Sequence, residues 1–100
     1  MASIFLKQPA EDFTIAVEYS GDLDTGETIS NKTVTATDLT DNSDATATVI
    51  SASSISGTQV LVRVQAGSTN HDYLIHVRAT TSTTQDYEHD VTMQVREGTT

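Results

Sequence analysis

One hundred residues carry 36% hydrophobic side chains, five aromatics and no cysteine, which is one domain's worth of chain and excludes disulfides, thiolate nucleophiles and cysteine-based zinc sites. Five Lys and Arg against fourteen Asp and Glu leave a net charge of −9, which repels phosphate backbones and anionic lipid and argues against nucleic-acid or membrane partners. No run approaches the roughly 18 apolar residues of a membrane helix, and Met1 to Asp12 lacks the pattern of a secretory leader, so residence in a cytosol is expected.

Ser, Thr, Val and Ile dominate, and the β-branched residues among them are stiff at χ1 and suit a pleated surface. Ahead of Pro9, Ile4, Phe5 and Leu6 form an apolar cluster with two readings, an extra edge strand over residues 1–10 or an arm that docks on a partner. Phe13, Ile15, Val17 and Tyr19 then alternate with polar or small residues, predicting a strand with one buried face. Ser20 to Glu27 is turn chemistry, and Thr28 to Ala36 reads as a second strand. Ile29 and Val34 fall on opposite faces by parity, which requires either a bulge or apolar contacts on both sides.

Leu39 to Asp44 reads as an acidic loop and Ala45 to Ser53 as a strand of small residues. After a turn at Ser54-Ile55-Ser56-Gly57, Val60, Val62 and Val64 mark the inner face of the next strand. Beyond a loop containing Gly67, Tyr73, Ile75, Val77 and Ala79 face inward, as do Tyr87, Val91, Met93 and Val95 in the last strand. For both odd-numbered sets to face one core, paired residue numbers must sum to an even value. A three-residue loop Ser82-Thr83-Thr84 satisfies this and pairs Val77 with His89. Residues 98–100 are expected to fray. Six or seven short strands with little or no helix predict an all-β, antiparallel, immunoglobulin-like sandwich filling residues 1–100.

Candidate chemistry is sparse. Asp22 to Glu27 opens like a calcium loop, but Gly26, Glu27 and Thr33 stand where an EF-hand needs an oxygen ligand, glycine and a bidentate glutamate. His76 is expected to point outward, His89 inward beside Tyr87 and Val91, and His71 to sit in a loop, so no metal is predicted. There is no G-x-S-x-G elbow and no phosphate-binding glycine loop, and neither catalytic residues nor a cofactor are predicted. Asn31-Lys32-Thr33 fits the glycosylation pattern within a predicted strand and is read as coincidence.

From Lys7-Gln8-Pro9-Ala10-Glu11 through Phe13, Ile15, Glu18-Tyr19-Ser20 and Leu23 to Glu27-Thr28-Ile29-Ser30, the chain resembles a family of small bacteriophage virion proteins often labelled fiber-tail adaptor. Tyr73 to Arg78-Ala79-Thr80-Thr81 and Val91 to Arg96-Glu97 extend the resemblance to the far end. Gln8 stands for the family's Asp, Tyr19 for its Trp, Gly67 for a glycine pair, and the turn glycine after Thr81 is missing. The resemblance implies a non-enzymatic virion component, an adaptor or decoration subunit in many copies whose partners are other virion proteins at head, tail or fibre. The rival reading is a carbohydrate-binding or adhesive surface module, which normally exposes aromatic rings for sugar stacking; here only Phe5 is expected outside.

Overall fold

A computed structural model describes residues 3–23 and 25–97. Among these residues, eight strands and one helical turn follow in the order β1 (Ser3–Lys7), β2 (Phe13–Glu18), β3 (Ile29–Asp38), β4 (Ser43–Asp44), α1 (Thr46–Val49), β5 (Ile50–Ser56), β6 (Gln59–Val64), β7 (Asp72–Thr81) and β8 (Asp86–Val95). They form an all-β sandwich of two sheets, β1-β8-β7-β3-β4 and β2-β6-β5. The expected six or seven strands become eight because residues 3–7 and the two-residue β4 also pair. Every pairing is antiparallel except one. β1 runs parallel to β8, Ser3 opposite Val91 and Lys7 opposite Val95, so the sheet is mixed where an antiparallel one was expected. Parity restricts which faces meet and leaves strand direction open.

The strand order places β2-β6-β5 where the immunoglobulin arrangement has B-E-D, and β8-β7-β3 where it has G-F-C. Tyr73 is the second residue of β7, and its hydroxyl accepts the Ser68 N–H at 2.8 Å, the tyrosine-corner contact of that arrangement. Gly67, with φ at +97°, lets the chain pass so close that a Cβ there would lie 2.8 Å from Val95 Cγ2.

The inward faces are those that alternation predicts: Val60, Val62 and Val64 of β6 and Tyr73, Ile75, Val77 and Ala79 of β7 are buried together with Val17, Tyr19, Met93 and Val95. Val77 lies opposite His89, and Thr81 N–H donates to the Gln85 carbonyl at 2.8 Å, closing the loop Ser82-Thr83-Thr84. The parity conflict in β3 resolves as a bulge. The register shifts between Ile29 and Asn31, which brings Ile29 and Val34 to the same face, opposite Thr81 and Val77.

The strand expected over Ala45 to Ser53 is corrected by a turn of helix over its first half. Ala45 and Val49 are both buried while Ala47 between them is exposed, which a helical turn permits and the two-residue period of a strand does not. Thr46 Oγ1 bonds Asp44 and receives the Ala36 N–H, anchoring the turn against β3. β5 also continues to Ser56, so the turn expected from Ser54 begins only at Gly57. Gly98 to Thr100, expected to fray, lie outside the described residues.

Candidate functional site

The apolar arm is an edge strand. Within β1, Phe5 and Lys7 turn inward while Ile4 and Leu6 are 66% and 53% exposed. Phe5, expected on the outside, meets Phe13 edge to face with ring centroids 5.8 Å apart. Lys7 has no exposed surface, and its Nζ donates to three carbonyls, Gln8 at 2.9 Å, Pro9 at 3.1 Å and Ala66 at 2.6 Å. That satisfies all three ammonium protons without a carboxylate contact. Burial lowers the pKa of this lysine, with Asp12 and Glu11 opposing the shift. Sequence reasoning missed this anchor, although Lys7 shares the parity of Phe5.

Next to β1, a cleft of about 440 Å³ opens between the sheets, lined by Phe5, Ile15, Ala16, Val17, Glu18, His89, Asp90 and Val91. It ends at the Phe5–Phe13 contact on one side and at Tyr19 on the other, whose ring meets His89 edge-on with centroids 4.6 Å apart. The outer face of the three-stranded sheet carries a second, shallower depression of about 210 Å³ around Ala52, Ser53, Leu61 and Arg63.

The three histidines lie apart, two on one carboxylate each and His76 on two. His71 Nδ1 meets Asp38 at 2.7 Å, His89 Nε2 meets Asp22 at 2.8 Å, and His76 lies between Asp90 at 2.5 Å and Glu88 at 2.8 Å. Those contacts have electrostatic consequences. The Asp90 hydrogen bond raises the His76 pKa against the opposing cost of burial, with Glu88 adding to the rise. Burial works to raise Asp38, but the His71 and Thr40 hydrogen bonds outweigh it and hold the carboxyl below its ordinary range. No three metal-donor side chains converge among the described residues. Asp22 belongs to a tight turn, its N–H and that of Leu23 both donating to the Tyr19 carbonyl, while Asp24 lies outside the described residues. The Asn31-Lys32-Thr33 sequence falls within β3, as read.

A family model described as podophage GP4 fiber-tail adaptor protein gp77 matches residues 7–96. The chain belongs to this family. No curated protein and no solved structure matches it. Membership makes this adaptor-family chain a virion component with a structural role among other virion proteins. The match starts at Lys7, the buried anchor, and ends at Arg96, whose N–H donates to the Lys7 carbonyl at 2.9 Å. Its two ends are thus held together, and the exposed pair Ile4 and Leu6 lies just outside the matched span.

Proposed function

We propose that this chain is a non-enzymatic joining subunit of a tailed-phage virion. It bridges larger head, tail or fibre proteins, acts in many copies, and is made in the host cytoplasm. The observation that supports a docking role most directly is the outer face of β1, where Ile4 and Leu6 stand exposed side by side on an edge strand. An unpaired edge bearing large apolar side chains is a liability for a free subunit and an asset for one that ends its life against a partner. Modest contacts of this kind, repeated around a symmetric particle, sum through avidity. With a net charge of −9, the surface favours protein partners over DNA or anionic membrane. All five aromatic rings pack inward or lie half-buried, so no observation favours the carbohydrate-binding reading.

The test is a double substitution, Ile4→Asp with Leu6→Asp, supplied in place of the normal gene during phage growth. The purified variant is expected to keep its melting temperature while being missing from purified particles. Incorporation at the normal level would overturn the assignment of Ile4 and Leu6 as the docking face. Deleting residues 1–8 is a poorer test, because it also removes Lys7 and Phe5 from the fold.

A further inference from the structure

The two seams of the sandwich differ. Between β3 and β5, the α1 turn crosses from sheet to sheet and places fully buried Val49 in the core. On the opposite side, among the described residues, β2 ends its sheet with one edge unpaired, and β1 pairs only with Val91 to Val95 of β8. In the immunoglobulin order a first strand lies beside the equivalent of β2; here that place is vacant because β1 has joined β8.

Backbone polarity tells which groups face the vacancy. Tyr19 N–H donates to the Thr58 carbonyl at 2.9 Å, which makes the odd-numbered residues of β2 those bonded to β6. Thr14, Ala16 and Glu18 therefore aim three N–H donors and three carbonyl acceptors at the open side. Across the cleft, the register of β8 turns the main chain of Asp86 and Glu88 the same way, beyond the reach of β1. Partly buried Phe5, Ile15 and Val91 line the space between. Its surroundings are acidic: Glu18 and Asp90 line it, Asp22 lies on His89 at its wall, and no lysine or arginine lines it.

We propose that this seam receives an extended segment of another virion protein, which adds a strand along β2. Alternate apolar side chains of the segment would insert between Ile15 and Val91, and lysine or arginine residues flanking them would face Glu18 and Asp90. Main-chain hydrogen bonds supply the attraction in such strand addition, while pockets and charge choose the sequence. β2 is six residues long, about 20 Å at the rise of an extended strand, enough to dock a segment of similar length. The proposal rests on reading the chain as an assembly subunit.

The experiment uses the full chain and three synthetic heptapeptides: alternating valine and threonine flanked by lysines, the same core flanked by glutamates, and the lysine form with a central proline. With the lysine-flanked peptide, amide hydrogen exchange at Thr14, Ala16 and Glu18 is expected to slow at least about tenfold. The glutamate-flanked peptide should bind about tenfold more weakly and the proline form not measurably. Ala16→Pro, tolerable where an edge N–H faces solvent, should abolish the protection, and Glu18→Lys should weaken lysine-peptide binding about fivefold. Unchanged exchange at these three amides at millimolar peptide, or equal binding of the lysine and glutamate forms, would overturn the proposal. So would self-association of the free protein that Glu18→Lys or Ala16→Pro removes, since the seam would then belong to a second copy. Because the assay needs no phage particle, its failure leaves the adaptor reading to be judged by the Ile4 and Leu6 variant.

Discussion

The Tyr19 hydroxyl donates to the Val77 carbonyl at 2.8 Å, joining the end of β2 to the middle of β7 across the core. It is a buried hydrogen bond between the two sheets, made by a residue with no solvent exposure. Burial, with Asp22, Asp90 and Glu88 nearby, pushes the phenol's pKa up to about 12. Tyr19→Phe should cost about 1 kcal/mol, read as a lower urea midpoint with an unchanged slope. The sign with pH follows from linkage. The folded pKa lies above the ordinary value of about 10, so the contribution is complete below pH 10 and declines as pH rises towards 12. The Phe variant should lack that part of the alkaline loss of stability.

Lys7→Met leaves three carbonyls without the ammonium that serves them. The expected cost is at least about 2 kcal/mol, because a group hydrogen-bonded to a charge is expensive to orphan. Hydrogen exchange at the Arg96 amide, held by the Lys7 carbonyl, should accelerate along with the loss of melting temperature.

His76 contributes stability that depends on its charge. Its folded pKa lies above the ordinary value of about 6.5, so the contribution is full below that pH and fades as pH rises through the folded value. Melting temperatures of the protein and of His76→Gln should therefore converge towards alkaline pH and separate on acidification, with the histidine form the more stable. The ring is partly exposed and screened, so the separation will be small.

Gly67→Ala should destabilise by about 1–3 kcal/mol, since the added methyl meets Val95 Cγ2 and the residue has positive φ. Gly21→Ala is the matched control. A Cβ there meets nothing within 4 Å and φ is ordinary, so thermal melting should be nearly unchanged.

The turn glycine missing after Thr81 has a structural counterpart. Thr84 sits at φ +61°, a left-handed conformation that burdens a β-branched residue, in the last position of the three-residue loop. Thr84→Gly should therefore stabilise the β7–β8 hairpin by about 0.5–1 kcal/mol in chemical denaturation.

Where alternation runs unbroken, the fold was legible in advance. Tyr73 to Ala79 and Tyr87 to Val95 have one buried parity each; that parity required an odd loop, and the choice of three residues for it led to the Val77–His89 pairing. Ile29 and Val34 signalled a bulge through their conflict without saying which residue was inserted. Ala45 and Val49 misled because a single helical turn among threonines and alanines is too short to impose a period. At the candidate site, parity could have turned Phe5 and Lys7 inward together, but the apolar neighbours Ile4 and Leu6 made the whole cluster look like one unit. That β1 and β8 run in the same direction depends on contacts between distant parts of the chain, which no local pattern encodes.

The parallel pairing of β1 with β8 also sets how the molecule bears load. Tension drawn between Ser3, where β1 begins, and Val95, where β8 ends, pulls these neighbouring strands along their length in opposite directions. Their hydrogen bonds are then sheared together instead of being peeled one by one. A piece linking parts of a particle that is pulled during attachment would resist at its ends as a glued lap joint does, failing only when the whole overlap lets go.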